Sequence, residues 1–185
     1  MSDTVQQMRQ VMAEADCLYN EGAVHQTIAA MGEAITERLS DADPIILCVM
    51  NGGLVMAGHL LPRLAFPLRV DYAQVSRYRD QTTGGELRWK VKPQHSLEGR
   101  VVLVIDDILD EGDTLAAIVA DCKRLGATRT LTAVLVEKEH TRKSDPHFQA
   151  DFIGLKTEDR YLFGFGMDYK GYWRNAPGIY AVKGL

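Results

Sequence analysis

A mainly parallel, twisted β-sheet flanked by helices is the architecture this sequence predicts, and three observations carry that reading. Continuous apolar runs at residues 45–50 (IILCVM) and 101–105 (VVLVI), and a β-branched-rich run at 130–136 (TLTAVLV), are each the length of a strand. Runs without a polar alternate suit strands covered on both faces, the condition found in parallel sheets. Segments with helical periodicity lie between them, and this alternation implies right-handed crossover connections. The 185 residues, 46% hydrophobic and 25% charged, fit one globular domain spanning 1–185.

From the N-terminus, Val5, Met8, Val11, Met12, Ala15 and Leu18 repeat with a helical period over residues 4–19. Asn20-Glu21-Gly22 interrupts it. Val24, Ile28, Met31, Ile35 and Leu39 then mark one face of a second helix. Gly32 within that helix costs roughly 1 kcal/mol against Ala, so close packing against a neighbour is expected there. A turn at 40–44 leads into the first apolar run, and after Asn51-Gly52-Gly53 residues 54–64 read as a helix. Residues 68–75 alternate as a strand; a polar, glycine-ended stretch, 76–85, separates them from strand-like alternation at Leu87 and Trp89. Residues 93–99 connect into the central run. Leu115, Ile118, Val119, Cys122 and Leu125 define the helix after it, with Gly126 as its C-terminal cap. A polar loop at 140–146, a short strand at 151–154 and an aromatic-rich tail complete the chain. The N-terminal helices and that tail are expected to form a small hood over the carboxyl edge of the sheet.

The bulk numbers exclude several classes. A net charge of −4 argues against a nucleic-acid surface as the main business. No apolar run approaches membrane-spanning length, and MSDTVQQMRQ lacks the apolar core of a signal peptide. Cys17, Cys48 and Cys122 are odd in number and have no metal-ligand spacing, so they read as buried thiols in a reducing cytoplasm. His25 and His59 fall within helical patterns, and neither is assigned a functional role.

The chemistry concentrates in residues 101–115, VVLVIDDILDEGDTL. A buried strand, a tight turn and a helix N-terminus together make an anion site, because free backbone N–H groups and the helix dipole face the ligand. Asp106, Asp107, Asp110, Glu111 and Asp113 crowd the carboxyl end of that strand, and acids so close repel one another unless a cation joins them. Phosphate and a divalent metal are both expected.

IDDILDEGDTL resembles the phosphoribosyl-pyrophosphate signature of the type I phosphoribosyltransferases, with two adjacent acids and an Asp three residues on. Glu111 stands where that family carries a small hydroxyl residue, and Asn51 where its pyrophosphate loop carries Lys or Arg. The resemblance runs through the chain in order: the NGG loop, SRYRDQTTGG, the acidic signature, Lys138 and YLFGFGMDY with Arg174 beyond. As a whole the sequence is similar to the hypoxanthine–guanine phosphoribosyltransferases of purine salvage.

The resemblance implies the type I fold, Mg²⁺ as cofactor, and a purine base and phosphoribosyl pyrophosphate as substrates. It also implies a homo-oligomer, a dimer or tetramer, without nucleic acid or membrane as partner. Asp106 and Asp107 would hold the ribose hydroxyls or Mg²⁺, and Asp110 would be the base at N7 of the purine. Glu111, Gly112, Asp113 and Thr114 would cradle the 5′-phosphate. Asn51, Gly52, Ser76, Arg77 and Arg174 would meet pyrophosphate. Lys138 would donate to the exocyclic oxygen, Tyr161 would stack on the ring, Leu162 would meet its edge, and Asp168 would serve the purine edge or a second Mg²⁺. Two other readings use the same fold: a nucleotide-sensing, RNA-binding attenuation regulator, and a homologue that binds nucleotide with impaired catalysis.

Overall fold

The computed structural model describes residues 2–77 and 87–184. Six strands form the main sheet: β2 (Ile45–Met50), β3 (Arg69–Arg77), β4 (Leu87–Val91), β5 (Val101–Leu109), β6 (Arg129–Glu139) and β7 (Phe152–Glu158). Their order is β4-β3-β2-β5-β6-β7, all parallel except the edge strand β4.

Both faces of the central strands are covered, which is why their sequences are apolar without alternation. Ile46, Cys48, Leu103 and Ile105 pack with Ile28, Ile35 and Leu39 of α2 (Glu21–Leu39) and Met56 and Leu60 of α3 (Gly53–Leu60). Ile45, Leu47, Val102 and Val104 face Leu115, Ile118 and Cys122 of α4 (Asp113–Arg124). The close packing expected at Gly32 is present: a Cβ there would lie 3.1 Å from Arg63 Cβ. Gly126, at φ 88°, follows the last turn of α4 in the left-handed conformation expected of a helix stop.

A second sheet, of order β1-β9-β8, joins β1 (Asp16–Tyr19), β8 (Leu162–Phe163) and β9 (Ile179–Ala181). Against it Met8 of α1 (Asp3–Glu14) packs with Phe163, Tyr169 and Val182, and Trp173 Nε1 donates to the Met8 carbonyl at 2.8 Å. The helical period over 4–19 therefore misleads at its end. Residues 16–19 are a strand, because antiparallel pairing with β9 outweighs a local pattern. Residues of α2 share one apolar cluster with the main sheet and with Leu162, Ile179 and Ala181 of this second layer.

Smaller differences have similar causes. The helix after Gly53 stops at Leu60 and tightens into a 3₁₀ turn, Leu61–Arg63, at Pro62. Cys17 is exposed, whereas Cys48 and Cys122 are buried. His59 has ring partners in His25 and Phe165, each with centroids 4.9 Å away. No described helix is long and apolar enough to cross a membrane.

Candidate active site

The direction of chain travel reverses between β2 and β5: β2 leads outward to β3, and β5 to β6 and β7. The helices leaving these two strands, α3 and α4, consequently cover opposite faces. A crevice opens where they part, at the carboxyl ends of the strands, which is where ligands bind in sheets of this kind. Gly52 and Gly53 let the start of α3 press against β5. A Cβ at Gly53 would sit 2.6 Å from the Ile105 carbonyl oxygen, and one at Gly52 would sit 2.5 Å from Asp107 Cγ. Gly166, at φ 111°, brings its backbone against the Gly52 carbonyl. The Met50–Asn51 peptide is cis.

Asp106 and Asp107 lie within β5, which runs on past the apolar stretch 101–105, since it continues to pair with β6 through Leu109 and Glu137. Burial, and then the neighbouring charge of Asp107, push the Asp106 carboxyl well above the usual range. Burial raises Asp107 too, opposed by its hydrogen bond with the Asp106 carboxyl and by Arg174, whose Nη1 is 3.8 Å away. Arg174 is itself committed to Asp168 and to the Gly166 carbonyl, the latter at 2.6 Å. Adjacent carboxyls that ionise with such difficulty are an oxygen donor set suited to a hard divalent cation.

Two adjoining hollows share Asp106, Asp107, Ile108 and Asp110. One, of about 350 Å³, runs over Glu111, Gly112, Asp113 and Thr114 to the start of α4. Gly112, at φ 91°, provides the turn, and α4 begins without a side-chain cap. The other, of about 480 Å³, is bounded by Asn51 and Gly52 on one side and by Lys138, Tyr161, Leu162, Asp168 and Arg174 on the other. Tyr161 is 43% exposed and meets Tyr169 edge-on at 5.5 Å, which leaves a ring face for a ligand.

Lys138 is buried on β6, its ammonium neutralised by Asp110 at 3.1 Å and Asp159 at 3.6 Å. His140 Nε2 reaches the other Asp110 oxygen at 2.7 Å. Arg142 grips Asp159 through Nη2 at 2.7 and 2.9 Å and Glu111 at 3.2 Å. The Arg142 hydrogen bond, foremost, holds the Asp159 carboxyl below its usual range. Glu111 thus turns to a cation beside the hollow at the start of α4.

Residues 14–170 match the family model described as the phosphoribosyl transferase domain. The chain belongs to the phosphoribosyltransferase family. It is 30% identical over 167 residues to the hypoxanthine-guanine phosphoribosyltransferase of Bacillus subtilis, covering 90% of this chain and 92% of that one. It is equally similar, 30% over 166 residues, to the hypoxanthine-guanine-xanthine phosphoribosyltransferase of Tritrichomonas foetus, covering 90% of each. The crystal structure of a hypoxanthine phosphoribosyltransferase from Staphylococcus aureus superimposes with a TM-score of 0.87 at 25% identity, over 93% of this chain and 94% of that one.

In this phosphoribosyltransferase, the acidic signature, Asn51, Gly52, Lys138 and the tail residues Tyr161, Leu162, Asp168 and Arg174 converge on the two hollows. Ser76 and Arg77, expected to open the loop at 76–85, instead end β3, with backbone partners Arg88 and Leu87; the rest of that loop lies outside the described residues. His140, Arg142 and Asp159 escaped the sequence reading, which left 140–146 as a polar loop. One signal was present: His140 is two residues beyond Lys138, the spacing that returns a side chain to the same face of a strand.

Proposed function

We propose that this chain transfers the phosphoribosyl group of phosphoribosyl pyrophosphate to hypoxanthine or guanine, yielding IMP or GMP and pyrophosphate. One observation carries the reading: a proton acceptor, Asp110, and a buried donor, Lys138, stand 3.1 Å apart in a hollow that opens onto the acids of β5 and the start of α4. In this reading the backbone N–H groups at the start of α4, with the Thr114 hydroxyl, take the 5′-phosphate. Asp106 and Asp107 orient the ribose. Tyr161 stacks on the purine, the Leu162 backbone meets its edge, and Lys138 donates to its exocyclic oxygen. Asp110 accepts the N7 proton as N9 bonds to C1 of the ribose and the C1–O bond to pyrophosphate breaks. The neighbourhood of Asn51, Gly52 and Arg174, together with Ser76 and Arg77, receives pyrophosphate.

Mg²⁺ would be held by Asp106 and Asp107, with Asp168 near a second ion, and would neutralise charge on the leaving pyrophosphate. The glutamate in the signature does not oppose the phosphate, because Arg142 draws it aside. The three free thiols suit the cytoplasm as the place of work. Incubation with phosphoribosyl pyrophosphate, Mg²⁺ and each purine separately, with nucleotide products resolved chromatographically, tests the reading. IMP and GMP are expected, and their absence would refute it. Full turnover in excess chelator, after verified metal removal, would refute the Mg²⁺ assignment.

A further inference from the structure

Asp110 is held from two sides. Lys138 Nζ donates to Oδ2 at 3.1 Å, and the His140 ring meets Oδ1 through Nε2 at 2.7 Å. A purine whose exocyclic oxygen takes the Lys138 ammonium draws that ammonium away from Asp110, so the contact with His140 has to keep the carboxylate in place.

The state of the imidazole is set by its other nitrogen. The backbone N–H of Arg142 donates to Nδ1 at 3.0 Å, so Nδ1 is an acceptor and the neutral ring carries its hydrogen on Nε2, aimed at Asp110. The His140 side chain is 5% exposed, which keeps water from competing for the carboxylate. Arg142 is fixed in turn by its two-fold grip on Asp159. Asp110, His140 and Asp159 do bring metal-type donors within 4.8 Å of one another. Lys138 and Arg142 already neutralise both carboxylates, however, and Nδ1 is occupied. The cluster is a hydrogen-bond network.

We propose that His140 is a positioning residue for phosphoribosyl transfer, its Nε2–H holding the Asp110 carboxylate at the purine while Lys138 engages the base. This rests on the base role proposed above for Asp110. Misplacing a reacting group by about 1 Å costs on the order of 10²-fold, so His140→Leu should slow the chemical step by ~10–10²-fold. The Michaelis constant for phosphoribosyl pyrophosphate should stay within about twofold, because the 5′-phosphate and pyrophosphate contacts are untouched. His140→Gln keeps an N–H donor at a similar reach and should recover most of the rate.

The experiment is single-turnover rapid quench with phosphoribosyl pyrophosphate, Mg²⁺ and hypoxanthine. The wild type, both His140 variants, Asp110→Asn, and His140→Leu combined with Asp110→Asn are compared, with thermal unfolding as a check on folding. Coupling through Asp110 predicts that His140→Leu adds less than about twofold to the loss in Asp110→Asn. A near-normal rate in His140→Leu, beside a large loss in Asp110→Asn, would overturn the role of His140 and leave the base assignment standing. A near-normal rate in Asp110→Asn would overturn the base assignment itself. Losses that multiply in the double variant, or a folded Gln variant as slow as Leu, would also overturn the positioning role.

Discussion

Adding one methyl group at Gly52 should disable the site through Asp107. Gly52 has φ −61° and ψ −52°, an ordinary helical conformation, so Ala meets no backbone penalty there. Its Cβ, however, would lie 2.5 Å from Asp107 Cγ and 2.6 Å from Oδ1, where ordinary contact begins at 3.4 Å. The gap to be made up is about 1 Å. Asp107 is buried on β5 with Arg174 nearby, so the carboxyl has little room to retreat. Overpacking of this kind costs ~1–3 kcal/mol of stability. A displacement near 1 Å in a group proposed to orient the ribose should lower kcat/KM on the order of 10²-fold, equivalent to ~2.7 kcal/mol. Gly58→Ala is the control: it lies in α3 with nothing within 4 Å of its Cβ, and it should stabilise the fold by ~0.5–1 kcal/mol with activity unchanged. Initial-rate kinetics and urea unfolding on both variants measure these quantities. A Gly52→Ala protein with normal kcat/KM would refute the steric argument, and with it the placement of Asp107 in the site.

Three further outcomes are expected. An ammonium has three donors and no acceptor, so it suits a 6-oxopurine and meets another donor in adenine. Lys138→Ala should therefore cut kcat/KM for hypoxanthine and guanine by ~5–150-fold, the equivalent of ~1–3 kcal/mol, and narrow the gap to adenine; unchanged selectivity would refute the assignment. Glu111→Thr should bind phosphoribosyl pyrophosphate as well as the wild type or better by calorimetry, because Arg142 already holds the glutamate aside; severe weakening would show that Glu111 contributes to binding. Asp71 accepts from the backbone N–H groups of Tyr72, Gln94 and His95 at 2.7–2.8 Å and pairs with the His95 ring at 3.0 Å. Burial pushes its carboxyl up, but these bonds outweigh burial and lower it overall. Its contribution is then present above the unfolded carboxylate value near ~4 and lost as pH falls through the lowered folded value. Asp71→Asn should cost roughly 1.5–3 kcal/mol at pH 7, and the two denaturation curves should converge in acid; a gap that persists in acid would refute the linkage.

Local pattern was enough for whatever depends on how a face is covered. The runs at 45–50 and 101–105 are apolar throughout, and 130–136 is rich in β-branched residues, because helices cover both sides of β2, β5 and β6, and that was legible residue by residue. The inner face of α2 was equally legible, since a helix against a sheet must repeat its apolar side chains every three to four residues. The acids announced themselves by type and spacing, whereas Lys138 and the tail residues were singled out by the family resemblance. Their meeting was not legible, because it depends on the reversal of strand order between β2 and β5. Pairing between chain ends made a strand of residues 16–19 despite their helical period, and the continued β5–β6 ladder carries that strand past the apolar run to include Asp106 and Asp107. The direction of Glu111, the approach of Gly52 and Gly166 to one another, and the bond from His140 to Asp110 were all decided by segments distant in sequence. A one-dimensional pattern records what each residue is buried against only as polar or apolar, whereas a site needs particular atoms at particular distances, which only the packed chain supplies.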